Sequence, residues 1–188
     1  CECLVHTVLV IPHITDQIKG AIMKATTDVD VLMVEIGGTV GDIESLPFIE
    51  GIRQLKWSLA KRDYLVIHLT LVPYLASAKE LKTKPTQHSV KELQSYGVQP
   101  HIIVCRTEHP LGNERKKKIA EFCNVDYDSV IEALDAETIY DVPLYLKKEK
   151  LDQIVLDKLG YKETADADLT EWNDFLQRFK FPKKEITI

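Results

Sequence analysis

A carboxylate-rich turn is the strongest chemical feature of this sequence. An apolar run over residues 31–34 ends at Glu35, a turn with three glycines follows, and Asp42 and Glu44 precede a helical pattern. Ligands of open α/β sheets bind at the carboxyl ends of strands. A glutamate there can hold Mg²⁺, which prefers carboxylate and phosphate oxygens, and glycines let backbone N–H groups approach an anion. The pattern predicts a ligand site; the alternative is a tight strand-to-helix turn with solvated acids.

A second feature combines lysines, hydroxyls and an amide just before another helical pattern. Its members are Lys82, Thr83, Lys84, Pro85, Thr86 and Gln87. A helix N-terminus carries partial positive charge and free N–H groups, which suit phosphate, and lysines add charges that neutralise it. The segment predicts a phosphate site; the alternative is an ordinary capped, charged loop.

Other candidates are weaker. A basic run at residues 115–118 is typical of a solvated helix face, although one lysine could reach an anion at a neighbouring loop. His13 follows the first apolar run, where a lone histidine is more typical of a hydrogen-bonded structural residue. No glycine is followed by lysine, so these 188 residues contain no complete P-loop. The four cysteines lack zinc-site spacing and are predicted to be free thiols.

The elements that must position these residues follow from hydrophobic periodicity. Apolar runs predict strands, and spacings of three and four predict helices between them. Because most runs are nearly continuous, the strands are expected to be buried in a parallel sheet. The sequence therefore predicts an α/β fold, a mainly parallel sheet with flanking helices, and a helical C-terminal part beyond residue 125. The predicted strands are residues 5–11, 31–36, 64–71 and 102–105. The first predicted helix follows Ser45 as N-cap, has Pro47 in its first turn and places Phe48, Ile52, Leu55 and Leu59 on one face. The second is residues 86–96, with Thr86 as N-cap, Val90 and Leu93 inward and Gly97 as its end. The other predicted helices are residues 113–122, 151–159 and 169–179.

Composition bounds the domain organisation. The chain is 45% hydrophobic and 28% charged, as expected for one globular domain, and its apolar runs are too short to span a membrane. A net charge of −5 argues against a general nucleic-acid-binding surface. The chain begins with Cys1 rather than methionine, so a fragment is expected. Residues 1–180 are predicted to form part of one domain, and residues 181–188 a linker and the first residues of another.

Three stretches together resemble the synthetase (amidoligase) domain of the CTP synthase family. They are residues 11–15, 34–48 and 81–93, and residues 122–125 and 171–172 also fit. The resemblance implies a Rossmann-like, P-loop-related fold and an ATP-dependent carbon–nitrogen ligase. Such an enzyme converts UTP to CTP through 4-phosphorylated UTP, with ammonia released from glutamine by a C-terminal amidotransferase domain. It further implies Mg²⁺, the ligands UTP, CTP and ATP, a cytoplasmic homotetramer with nucleotide sites between subunits, and neither nucleic acid nor membrane as partner.

The resemblance also assigns site residues. Glu35 resembles the family's magnesium ligand, and residues 82–87 resemble a stretch that holds UTP or CTP phosphates from a neighbouring subunit. Lys118 matches a lysine that contacts the same nucleotide, with Lys117 as the alternative because the match is ambiguous by one residue. The remaining assignments are Asp42, Ile43 and Glu44 for the inhibitor CTP, and Leu134, Asp135 and Ala136 for ATP, chiefly through the backbone.

Several family features lie outside this sequence. The phosphate loop, the catalytic lysines and a second magnesium carboxylate are missing, so catalytic residues stay unassigned and the chain alone is expected to be inactive. Leu9 stands where the family has a glutamine that reads the pyrimidine ring, which predicts poorer recognition; the alternative is a core leucine. Two other interpretations stay open: a P-loop-related ATPase or ligase with another substrate, and an inactive nucleotide-binding assembly fragment.

Overall fold

Seven helices and five strands make up the part of the chain that the computed structural model describes, residues 7–161 and 165–183. The helices are α1 (Thr15–Ala25), α2 (Leu46–Ser58), α3 (Lys84–Ser95), α4 (Gly112–Cys123), α5 (Val142–Lys148), α6 (Leu151–Lys158) and α7 (Thr170–Lys180). The strands are β1 (Ile67–Leu71), β2 (Tyr74–Leu75), β3 (Glu80–Leu81), β4 (Ile102–Thr107) and β5 (Val130–Leu134).

The main sheet has the strand order β1-β4-β5, with all pairs parallel. Its register places Ile67 opposite Ile102 and Ile103 opposite Val130. Helix α3 lies between β1 and β4 in the chain, and α4 lies between β4 and β5. Parallel neighbours need such crossover connections. The predicted α/β fold with a parallel sheet and flanking helices is confirmed.

Strand β4 is the centre of the core because both of its faces are covered. Ile103 and Cys105 pack with residues of α3 and α4, including Val90 and Ile119. The alternate residues of β4, such as Ile102, pack toward α5 and α6. Since successive side chains of a strand point to opposite faces, a continuous apolar run fits this central position.

Helix boundaries largely follow the sequence predictions. Helix α3 starts earlier than predicted, at Lys84, because Pro85 is well accommodated in the first turn. Its predicted inward residues, Val90 and Leu93, are buried. The helix ends before Gly97, which adopts a φ of +80° and donates its N–H to the Gln94 carbonyl at 2.8 Å. The positive φ explains the glycine.

Two helix details were wrong. Thr86 does not cap α3; Thr83 occupies the N-cap position instead. In α2, Phe48 was predicted to face inward but is 48% exposed, and Ile49 and Leu55 form the buried side. Phe48 and Ile49 are adjacent apolar residues, and the apolar face of a helix is broad enough to include both. Periodicity alone therefore does not predict which of the two is buried against the rest of the protein.

Two predicted strands are not strands in the described residues. Residues 7–9 have no regular structure, Val10–Ile14 form a short, distorted π-helical segment, and residues 31–36 form no ladder. Val31 and Val34 are about half exposed, and Met33 is 93% exposed. A strand needs a partner for its backbone N–H and C=O groups, and no described segment pairs with these runs.

The sequence prediction also missed β5, because Glu132 interrupts its apolar run. In the sheet this glutamate is satisfied: its Oε2 accepts the backbone N–H of Leu111 at 2.6 Å. The β-branched pair Val130 and Ile131 was the signal that could have revealed the strand. Among the described residues beyond 125, the regular elements are therefore helices except for this strand.

None of the helices within residues 7–161 and 165–183 combines the length and apolar character needed to cross a membrane.

His68 makes folding sensitive to pH. It is buried on β1, its Nε2 lies 2.8 Å from Ser89 Oγ, and burial lowers its pKa. As pH falls below the unfolded value of about 6.5, the unfolded chain binds a proton that the folded chain resists, so stability is lost. We expect the free energy of unfolding to decrease between about pH 7 and 5, and to decrease less steeply in His68→Gln. Urea denaturation across this range measures both slopes; equal slopes would contradict the assignment.

Candidate functional site

The predicted acidic turn forms a pocket of about 320 Å³ at the start of α2. The pocket brings together Glu35, Asp42 and Glu44, three of the predicted site residues. Ile43, predicted with them, is 85% exposed and does not line it. The pocket is lined by Glu35, Ile36, Gly37, Gly38, Asp42, Glu44, Ser45 and Phe48.

Asp42 holds the shape of this turn. Its Oδ2 accepts the backbone N–H of Thr39 at 2.9 Å, and its carbonyl accepts the hydroxyl of Ser45 at 2.9 Å. Gly38 adopts a φ of +87°, and a Cβ there would lie 3.4 Å from Asp42 Oδ2. Only glycine takes this backbone conformation without strain. One carboxylate oxygen of Asp42 is thus engaged in the turn, whereas Glu35 is exposed.

The side chains near Glu35 determine how a magnesium ion could be bound. Among the described residues, no three His, Cys, Asp or Glu side chains stand close enough to form a metal cage. Magnesium, however, usually binds to one or two carboxylates together with substrate phosphates and water. Glu35 lines an open pocket and makes no ion pair with any described residue, so it fits this second mode.

The lysine segment meets the basic run of α4. Lys82 pairs with Glu80, and this contact lowers the pKa of the Glu80 carboxyl. Arg115 and Lys118 are near enough that their charges lower it further. Lys117, in contrast, lies 3.9 Å from Glu121 on its own helix. Lys82 and Lys118 thus both act on the Glu80 carboxyl, whereas Lys117 pairs with Glu121.

The two threonines of the segment support the fold. Thr86 is fully buried, with its hydroxyl 3.1 Å from that of Thr70 and 3.3 Å from the Leu71 carbonyl. Thr83 is also buried and accepts a hydrogen bond from Gln87 Nε2 at 3.1 Å. These contacts fix the start of α3 against β1. Lys84 and Pro85 are exposed, and Lys84, unlike Lys82, makes no ion pair with a described residue.

The acidic pocket and the lysine segment are separate within this chain. The turn packs beside the last turn of α3, since a Cβ on Gly41 would lie 3.7 Å from Cγ of Glu92. The lysine segment occupies the N-terminal end of the same helix. No lysine lines the pocket. The two predicted halves of the nucleotide site do not meet in a single copy.

The third predicted segment follows β5 at the carboxyl edge of the sheet. Leu134 ends the strand, and the N–H of Asp135 donates to the Thr107 carbonyl of β4 at 3.0 Å. Arg106, which the sequence analysis did not single out, lies 3.6 Å from the Asp135 carboxylate. Its position at the end of an apolar strand was the signal that could have found it. Ala136 follows, partly exposed.

Two minor candidates are structural. His13 Nδ1 accepts the backbone N–H of Leu9 at 2.9 Å, as the structural alternative predicts. Cys105 and Cys123 are free and buried, and burial raises the pKa of their thiols to about 12 and about 11. Such thiols stay protonated and unreactive. Cys1 and Cys3 lie outside the described residues.

Comparison with known proteins agrees with this geometry. The family model for the CTP synthase N-terminus matches residues 2–161. A CTP synthase of Cytophaga hutchinsonii is 59% identical over 97% of this chain and 34% of its own length. Those of Zymomonas mobilis and Methanocaldococcus jannaschii are 56% and 54% identical over 97% and 100% of the chain. The chain spans about a third of the length of these relatives. The match of the family model over most of the chain, together with these identities, shows that the chain belongs to the CTP synthase family.

Proposed function

We propose that this chain supplies the nucleotide-contacting part of an enzyme that converts UTP to CTP with ATP and glutamine-derived ammonia. The observation that carries the proposal is the pocket that collects Glu35, Asp42 and Glu44. The reaction is a phosphoryl transfer to the uracil 4-oxygen, followed by displacement of phosphate by ammonia. Because such transfer depends on positioning and charge neutralisation, these residue types suit the task.

Glu35 is proposed to hold Mg²⁺ in this enzyme. When bound, the ion would neutralise phosphate oxygens beside the pocket. Glu35 contributes an exposed carboxylate without a competing ion pair to a described residue. Asp42 and Glu44, which also line the pocket, are proposed to contact CTP as inhibitor, with Ile43 between them exposed for contact.

Lys82, Lys84 and Lys118 are proposed to bind the triphosphate of UTP or CTP. The proximity of Lys82 and Lys118 to Glu80 supports Lys118 over Lys117 as the second contact. Because the lysine segment and the acidic pocket are apart in one copy, we propose that a second copy completes the site. This separation supports a homotetramer with nucleotide sites between subunits.

Residues 134–136 are proposed to contact ATP through their backbone, at the sheet edge where Asp135 is anchored to β4. Residues 1–180 are proposed to belong to the synthetase domain of a cytoplasmic enzyme. Residues 181–188 are proposed to lead into a glutamine amidotransferase domain; residues 184–188 lie outside the described part of the chain.

The test is CTP formation by the whole protein that carries this sequence. The purified protein is supplied with UTP, ATP and Mg²⁺, and with either glutamine or ammonia. We expect CTP to appear with both nitrogen sources, and inorganic phosphate to be released in equal amount. ATP hydrolysis that does not depend on UTP, or no turnover with ammonia, would contradict the proposed function.

Leu9→Gln tests how the pyrimidine ring is read. Leu9 is 52% exposed, so the alternative of a core leucine receives no support from the structure. A glutamine adds a donor and an acceptor, and one matched contact is worth about 1–3 kcal/mol. We expect the KM for UTP to fall about fivefold or more, with little change in thermal stability. Val8→Gln, at a neighbouring residue with 51% exposure, is the control. Equal effects of both substitutions, or none, would end the hypothesis.

A further inference from the structure

Helix α7 is fastened to the loop that follows β5. The indole Nε1 of Trp172 donates to the backbone carbonyl of Tyr140 at 2.9 Å. The ring of Tyr140 meets those of Phe175 and Phe179 edge-on, with centroids 5.0 and 5.1 Å apart. Such edge-to-face pairs have a preferred geometry and add to the energy of burial. One helix thus holds both the main chain and the side chain of Tyr140.

An ion pair strengthens the same attachment. Lys180 Nζ lies 2.9 Å from Asp141 Oδ1 and 3.2 Å from Glu137 Oε2. Asp141 is only 5% exposed, and its Oδ2 has no hydrogen-bond partner among the described residues. These two carboxylates raise the pKa of Lys180, Asp141 more than Glu137, so the lysine stays charged. A buried carboxylate depends strongly on the cation beside it.

The attachment is specific to this loop. Among the described residues, and apart from the local contact of Thr170 with Asp168, the side-chain hydrogen bonds and ion pairs that α7 makes outside itself end on residues 137–141. The other end of the loop is held by β4, through Asp135 with the Thr107 carbonyl and Arg106. Residues 135–141 are thus fixed at both ends, and a displacement of α7 would move the loop.

We propose that α7 is a clamp that positions residues 134–136 for ATP, with Trp172 and Lys180 as positioning residues. The inference rests on the proposed function, in which residues 134–136 contact ATP. Neither side chain needs to touch the nucleotide. Trp172 acts through the carbonyl of Tyr140, and Lys180 acts through Asp141. The clamp sets the affinity for ATP and leaves UTP recognition, which uses other segments, unaffected.

The test uses Trp172→Phe and Lys180→Met in the whole protein. The first keeps an aromatic ring but removes the N–H donor, and the second removes the charge while keeping the apolar stem. We expect faster hydrogen exchange in residues 134–141, and a KM for ATP about threefold to tenfold higher, because mutations in a coupling network have effects of this size. The KM for UTP should stay unchanged. Lys180→Arg keeps the charge and should restore most of the affinity for ATP.

Lys158→Met is the matched control. Lys158 is also mostly covered, with 22% of its side chain exposed against 27% for Lys180, and it pairs with Asp126 at 2.9 Å. It does not contact residues 134–141, so exchange there and the KM for ATP should not change.

The outcomes separate the clamp from the proposed function. Unchanged exchange at residues 134–141 in both variants overturns the clamp, whether or not the parent enzyme makes CTP. Faster exchange with an unchanged KM for ATP overturns the positioning role. Failure of the unsubstituted protein to make CTP overturns the proposed function and the ATP role with it, while exchange still decides whether α7 holds the loop.

Discussion

Replacing Glu35 by Gln is expected to lower CTP formation by the whole protein about a hundredfold or more, with almost no change in its thermal unfolding. Glu35 is exposed and makes no ion pair with a described residue, so its loss removes little folding energy. Surface substitutions of this kind usually stay within about 0.5 kcal/mol. Removing one preorganised charge from a reacting site, in contrast, commonly costs about 10²–10³ in rate. Glutamine keeps the size of the side chain and removes only its charge.

The requirement for magnesium should change in the same variant. Turnover measured against Mg²⁺ concentration should saturate later in Glu35→Gln than in the unsubstituted protein. Glu121→Gln is the control, because it removes an exposed carboxylate whose partner, Lys117, lies 3.9 Å away on the same helix face. If Glu35→Gln keeps its rate and its magnesium dependence, Glu35 is only a solvated acid in a turn.

Glu35 occupies a different environment in the structure from the one that the sequence predicted. The sequence placed this residue at the end of a buried strand, where an uncompensated charge would need a cation. In the structure, residues 31–36 form no strand and Glu35 is exposed. The prediction therefore rests on its place in the pocket beside Asp42 and Glu44, which are near it in sequence. A short turn brings such neighbours together whatever happens to the preceding strand.

Predictions succeeded where the pattern is local. The helical spacing around Val90 and Leu93 predicted a buried face, and the continuous apolar run at residues 102–105 predicted a buried strand; both are buried in the structure. Strand pairing is not local. Residues 31–36 have the composition of a strand, yet no described segment pairs with them, while β5 contains a glutamate and still pairs with β4.

Contacts between distant residues were beyond the sequence analysis for the same reason. Trp172 and Tyr140 are 32 positions apart, and no spacing rule links an indole to a backbone carbonyl at that distance. Lys82 and Lys118 both act on Glu80, although they are far apart in sequence and only Lys118 lies on α4. The family resemblance had already assigned these two lysines to the same nucleotide, but it gave no indication of the contacts that α7 makes.

Lys84→Ala is expected to raise the KM for UTP about tenfold to a hundredfold at low salt, from about 1.5–3 kcal/mol for a charge-assisted contact. Lys84 is exposed at the start of α3, and it makes no ion pair with a described residue, whereas Lys82 is engaged with Glu80. The charge of Lys84 is therefore available to phosphate. Salt screens this attraction, so the effect of the substitution on the KM for UTP should be smaller at high salt. Alanine favours the helix, so stability should not fall.

Lys91→Ala, at an exposed position of α3, controls for the loss of positive charge alone. UTP titrations of both variants at low and high salt are the measurement. If both variants lose the same affinity for UTP, Lys84 contributes only general positive charge; if Lys84→Ala loses none, Lys84 is not part of the site.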